Sequence, residues 1–290
     1  MDKYVKDILS AKVYDVAVET PIEQAAVLSQ RLQNTVWLKR EDMQPVHSFK
    51  LRGAYNKMAG LTAEAAKKGV IAASAGNHAQ GVAMAGSRLN IHTTIVMPVT
   101  TPIIKINAVK ALGGKVILHG DTYDEASAHA KTLVDQKGYT FVHAFDDPAV
   151  IAGQGTVGLE IVRQHSGNLD AIFVPVGGGG LMAGIAAYIK YIRPEIKLIA
   201  VEAEDSACLQ AALAAKRRVV LPQVGLFADG VAVAQIGKEP FRVLRNLVDE
   251  VVTVTTDEIC AAVKDVFDDT RAMAEPAGAL AIAGLKKYVR

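Results

Sequence analysis

DAIFVPVGGGGLMAGIAAYIKYI, residues 170–192, is the stretch that sets the fold class. From Ala171 to Ile189 it carries no charged side chain, a length near that of a membrane-spanning helix. Pro175 and the glycines at 177–180 would interrupt such a helix, so the stretch reads as strand, tight turn and a helix through Ile192. The same alternation recurs outward from it. VIAAS (70–74) precedes a helix from near Ala79, TTIVMPV (93–99) precedes TPIIKINAVKALGG, and KVILHG (115–120) precedes the amphipathic DEASAHAKTLVDQKG. YTFVHAF leads into IAGQGTVGLEIVRQH, and KLIAVEA (197–203) precedes a helix near Ser206. Short apolar strands alternating with helices predict an α/β fold with a mostly parallel sheet covered on both faces. Glycines in LGG and QKG fall where helices want a left-handed cap.

The chain has 290 residues, near the size at which a single core divides into two. Half of it is hydrophobic, 21% is charged and the net charge is +2, the profile of a soluble globular enzyme. No basic block or aromatic-basic stripe occurs, so no nucleic-acid partner is expected. Cys208 and Cys260, the only cysteines, form neither a disulfide framework nor a CxxC metal spacing, which fits a reduced compartment. MDKYVKDILSAKVYD mixes charges early and lacks a secretory pattern, so a cytoplasmic location without a membrane partner is expected. The seven histidines are scattered, and no metal is predicted.

Three segments can carry chemistry: KREDMQPVHSFKLRGAY (39–55), SAGNHAQG (74–81) and VPVGGGGLMAG (174–184). In the last, one glycine would serve a turn. Four suggest backbone amides held open for an anion at a helix N-terminus, and a close-packed turn is the other reading. Gly178-x-Gly180-x-x-Ala183 also matches a dinucleotide fingerprint, with Glu202 near the place of a ribose-binding acid. That keeps a NAD-dependent oxidoreductase open as an alternative. In the second segment the Ser74–Gly76 amides can hold a carboxylate, while Asn77 reads equally as ligand contact or helix cap. Lys50 lies between Phe49 and Leu51 in a turn-like stretch after Pro45. There it is either an ordinary solvated lysine or one desolvated enough to attack an aldehyde.

Taken together and in order, these segments resemble the serine/threonine dehydratase family of fold-type II pyridoxal-phosphate enzymes. S-F-K-x-R-G resembles the family's lysine signature, SAGNHAQG its asparagine loop, and GGGG with Leu181 its phosphate loop. VEAEDSACL (201–209), VGLFADGVAV (224–233) and AEPAGALA (274–281) look more like the biosynthetic, threonine-deaminating branch than like serine racemases. The resemblance implies a tryptophan-synthase-β-like fold of two domains, each with a mostly parallel sheet. A large domain (1–45 and 147–290, incomplete at its C-terminus) and a small one (46–146) would hold the cofactor between them.

The resemblance also implies the site. Lys50 would carry pyridoxal 5'-phosphate covalently and serve as base. Phe49 would pack on the cofactor ring and Asn77 would bond its hydroxyl oxygen, with Glu275 nearby. Gly177, Gly178, Gly179, Gly180 and Leu181 would bind the phosphate, and Ser74, Ala75, Gly76 and Asn77 the substrate carboxylate. The implied reaction takes L-threonine, and also L-serine, to an oxoacid and ammonia, with 2-oxobutanoate from threonine as the first step of isoleucine biosynthesis. A homodimer or homotetramer is implied. Racemases carry serine where Ala75 stands, and alanine cannot deliver a proton, so elimination without racemisation is expected. A second carboxylate beside Glu202, which a cation site would need, is missing. The family's serine for the pyridine nitrogen and its isoleucine-sensing domain fall outside these residues. Weak or no turnover and no isoleucine feedback are therefore expected, with a catalytically dead cofactor-binding fragment as a further alternative.

Overall fold

The structure, a computed structural model, describes residues 2–289. Helix α1 (Asp2–Leu9) leads to a short antiparallel pair, β1 (Ile22–Gln24) and β2 (Trp37–Lys39), joined through α2 (Ala26–Leu32). This pair has no signature in the sequence, because strands this short show no period-two pattern. Helices α3 (Lys50–Ala59) and α4 (Ala63–Lys68) follow. The first parallel sheet comes from β3 (Val70–Ala73), α5 (Asn77–Leu89), β4 (Thr93–Met97), α6 (Ile103–Ala111), β5 (Lys115–Leu118), α7 (Tyr123–Lys137) and β6 (Thr140–Phe141). Its strand order is β5-β4-β3-β6, and every pair is parallel. All of β3 and β4 is buried, as expected of strands with helices on both faces.

Helix α8 (Pro148–Gln164) leads to the second sheet. It is built from β7 (Ala171–Pro175), α9 (Gly180–Ile192), β8 (Lys197–Ala203), α10 (Cys208–Ala215), α11 (Lys238–Leu244) and β9 (Glu250–Val254), and is closed by α12 (Thr256–Thr270) and α13 (Pro276–Tyr288). The order is β7-β8-β9, again all parallel. Residues 170–192 are thus strand, turn and helix, and among the described residues no helix is long and apolar enough to cross a membrane.

Some local expectations change. Lys50 opens α3 rather than lying in a turn, and α5 begins at Asn77 rather than near Ala79. YTFVHAF contributes only a two-residue strand, β6. Ser206 lies in a 3-10 segment, with α10 starting at Cys208.

Close helix packing brings the helix starts together. A Cβ on Gly81 would lie 3.0 Å from the Leu51 amide nitrogen, and one on Gly153 2.7 Å from the Arg52 carbonyl oxygen. A Cβ on Gly155 would approach the Gly184 carbonyl oxygen to 3.0 Å. Helices α5, α3, α8 and α9 therefore stack backbone to backbone, at separations any larger residue would force apart.

Candidate active site

Lys50 is half-buried at the first position of α3. Its Nζ donates to the Ala144 carbonyl at 3.4 Å and lies 5.3 Å from the centre of the Phe49 ring. Burial pulls the amine's pKa down from 10.5 to about 8, with the Glu275 carboxylate opposing the shift. Glu275 occupies the N-cap position of α13, and its Oε1 accepts from Asn77 Nδ2 at 2.7 Å. Lys50, Asn77 and Glu275 are thus brought together from the starts of three helices, where backbone N–H groups lack intrahelical partners. The cap reading of Asn77 is corrected: Gly76 holds the N-cap position of α5, and the Asn77 side chain makes a bond 198 residues along the chain.

Two histidines near Lys50, His78 buried and His143 half-buried, had no sequence signal. His78 Nε2 donates to the Val142 carbonyl at 2.8 Å, which leaves Nδ1 without a partner. Burial and the Lys50 charge hold this imidazole's pKa down at about 3, so it stays neutral. Burial likewise lowers the pKa of His143, whose Nδ1 accepts from the Phe145 and Asp146 amides at 3.3 and 2.9 Å. The Ala144–Phe145 segment that these bonds shape touches both Lys50 and the glycine turn.

The glycine turn differs from expectation in one respect. All four glycines have a packing reason. A Cβ on Gly178 would overlap the Phe145 ring, one on Gly177 would sit 2.9 Å from Val231 Cα, and one on Gly180 2.9 Å from Phe145 Cα. Gly179 has φ of +89°, which favours glycine. Their number alone therefore says nothing of an anion. The hydrogen bonds do. Gly178, Gly179 and Gly180 are buried, and no amide from Gly177 to Leu181 has an acceptor among the described residues. Buried N–H groups without partners are costly, and an anion at the start of α9 would satisfy them. The donor set fits a phosphoryl group, and the amine at Lys50 fits an aldehyde. Replacing Gly178 with alanine should displace the Phe145 ring and cost about 1–3 kcal/mol of stability, measurable by urea unfolding. A change below about 0.5 kcal/mol would show that Phe145 can move aside freely.

At the SAGNH turn, Ser74 Oγ accepts from the Gly76 amide at 3.2 Å. A Cβ on Gly76 would meet nothing within 4 Å, so there is open room beside Ala75 and Gly76. Glu202 removes the support for a dinucleotide site. It is wholly buried, and its carboxylate accepts from the Leu209 and Gln210 amides at 2.7 and 2.9 Å. It holds the start of α10 and has no oxygen facing a ribose.

Arg52 is the arginine of S-F-K-x-R-G. It is wholly buried and bonds Glu160 through Nη1 and Nη2 at 2.5 and 2.9 Å, and Glu41 through Nη2 and Nε at 2.8 Å each. Lys39 also pairs with Glu160 at 2.6 Å. This ionic cluster ties the first turn of α3, and so Lys50, to α8 and to the segment after β2.

Two parallel sheets flanked by helices, with a desolvated amine at a helix start joined through Ala144–Phe145 to an unsatisfied glycine turn, are the frame of a fold-type II pyridoxal-phosphate enzyme. The chain belongs to the pyridoxal-phosphate dependent enzyme family, whose family model matches residues 13–290. Within that class it is 60% identical, over 98% of its length, to L-threonine dehydratase biosynthetic IlvA of Burkholderia multivorans. It is 58% identical to the protein of that name from Escherichia coli. The chain spans about half the length of these curated relatives, 57% and 56%. Its fold matches the processed form of threonine deaminase isoform 2 from Solanum lycopersicum with a TM-score of 0.98 and 53% identity, covering 99% of this chain and 79% of that one. Maize serine racemase matches with a TM-score of 0.94 and 31% identity, at 99% and 88% coverage.

Proposed function

We propose that this chain is the catalytic part of a threonine ammonia-lyase that converts L-threonine to 2-oxobutanoate and ammonia, the entry to isoleucine biosynthesis, with L-serine as a second substrate. The observation that carries the reading is the Lys50 amine, brought by burial to a pKa of about 8, with the Ala144–Phe145 segment touching both it and the glycine turn whose amides lack acceptors among the described residues. When bound, the cofactor supplies the electron sink that makes the substrate α-proton acidic.

The chain's own groups do the rest. Lys50 Nζ would hold the cofactor at its aldehyde carbon and would serve as the base for the substrate α-proton. Phe49 would lie beside the ring, Asn77 Nδ2 would donate to the ring oxygen, and Glu275 would border it. The amides of Gly177, Gly178, Gly179, Gly180 and Leu181 would donate to the phosphoryl oxygens. Ser74, Ala75, Gly76 and Asn77 line the room for the substrate carboxylate. Ala75 offers no proton to the opposite face, which favours elimination over racemisation. Residues 46–146 form the small domain and 1–45 with 147–290 the large one. The same reading includes a homodimer or homotetramer and a cytoplasmic location. Location varies among relatives: the Arabidopsis thaliana one is named chloroplastic and the Saccharomyces cerevisiae one mitochondrial.

Borohydride reduction in the presence of pyridoxal 5'-phosphate, followed by peptide mapping and a threonine-dependent oxoacid assay, tests this. The expected result is label on Lys50 together with oxoacid that requires threonine. Label without oxoacid would leave a fragment that only binds. No label would remove the reading altogether. The pH dependence adds a second check. Only the neutral amine attacks an aldehyde, so the rate of cofactor capture should rise through pH about 8. A midpoint near the unperturbed 10.5 would show that Lys50 is not desolvated.

A further inference from the structure

The glycine turn is tied down by its carbonyls, and the ties come from outside it. The Gly177 carbonyl accepts from the Cys208 thiol at 3.3 Å, and the Gly178 carbonyl accepts from the Gly237 amide at 3.1 Å. A trans peptide is planar, with its C=O and the next residue's N–H pointing in opposite directions. Holding the Gly177 oxygen therefore aims the Gly178 N–H, and holding the Gly178 oxygen aims the Gly179 N–H. Both amides lack acceptors among the described residues.

We propose that Cys208 is a positioning residue of the cofactor site: by donating to the Gly177 carbonyl, its thiol turns the Gly178 amide toward the phosphoryl group. This rests on the reading of the turn as a phosphate cradle. Cys208 is itself held firmly. It is wholly buried at the first position of α10, whose next two amides are fixed by Glu202 at 2.7 and 2.9 Å. Burial pushes the thiol's pKa up to about 12, so it keeps the hydrogen it donates. The Gly237 side is anchored in the same manner, because the Lys238 and Glu239 amides donate to the Asp146 carboxylate at 2.9 and 2.8 Å. The cradle's orientation is thus set by β8–α10 on one side and by the start of α11 on the other.

The test compares pyridoxal 5'-phosphate with pyridoxal, which lacks the phosphoryl group. Binding of each is followed by the absorbance of the lysine adduct, and the thermal midpoint is measured without cofactor. Cys208→Ala should weaken pyridoxal 5'-phosphate about tenfold, the size of one hydrogen bond to a charged group, and change pyridoxal less than about twofold. Cys208→Ser, which keeps a donor, should restore most of the loss. If alanine unfolds the chain, Cys208→Val keeps the volume without the donor and should give the same split. Equal weakening of both ligands, or no weakening of either, would overturn the proposal. If the unaltered chain forms no adduct with either compound, the reading of Lys50 fails first, and that result is distinct from the others.

Discussion

Replacing Lys50 with alanine is expected to abolish covalent capture of pyridoxal 5'-phosphate and to lower threonine-dependent oxoacid formation by about a thousandfold or more. Both effects follow from the loss of one amine that serves as nucleophile and base. Lys50→Arg should do no better, because a guanidinium keeps its proton and cannot form the bond. The same position should show a stability effect of opposite sign. Burial disfavours the charged amine, whose pKa falls from 10.5 to about 8. Below pH 8 the amine is protonated in both folded and unfolded chains, and the folded state bears the full cost. Between pH 8 and 10.5 the folded chain has lost the proton while the unfolded chain keeps it, so stability rises with pH across that window. Lys50→Met, which keeps the bulk and removes the charge, should therefore stabilise the cofactor-free chain by about 1–3 kcal/mol at pH 7. The gain should fade as pH rises from 8 to 10.5 and be gone above that window. Urea unfolding at pH 7 and 10 checks this, and a destabilised Lys50→Met chain would show that the amine is well solvated.

The second large effect is expected at Arg52. Replacing it with methionine leaves Glu160, wholly buried, with only Lys39 and the Tyr14 hydroxyl as partners in place of the arginine fork. Removing one member of a buried ionic cluster costs about 3–5 kcal/mol, because the remaining charge is left poorly compensated. Glu160→Gln in the same chain should recover part of that loss, since it removes the stranded charge. A urea series on the single and double variants measures both terms. Because Arg52 lies within the first turn of α3, cofactor capture at Lys50 should weaken even where the variant remains folded. A loss under about 1 kcal/mol would mean that water reaches Glu160 and the cluster is not dry.

Much of the frame was legible before any coordinates. Apolar runs at 70–74 and 93–99 form strands whose side chains are buried on both faces and so leave a continuous hydrophobic record, and the run at 170–176 forms a strand buried on alternate residues. The candidacy of Lys50 rests on the resemblance of its flanking motif and of the two later segments that accompany it. The tally of glycines misled at 177–180. Each of them is required by a neighbour, Phe145 or Val231 among them, that lies far away in the sequence. Glu202 misled too: its place at the end of a strand suggested a ribose contact, yet its oxygens are taken by the first amides of α10.

From composition and pattern came the α/β class and the order of strand and helix, and from the resemblance of three short motifs the family and the candidate amine at Lys50. Those are properties of short windows, where side-chain periodicity and backbone preference act locally. Folding alone settled what each polar group meets: Asn77 with Glu275, Arg52 with Glu160, Lys50 with Ala144, and Cys208 with Gly177. Such pairings leave no periodic trace, because they exist only once glycine-lined helices have packed closely enough to exclude water and make an unpaired polar atom costly.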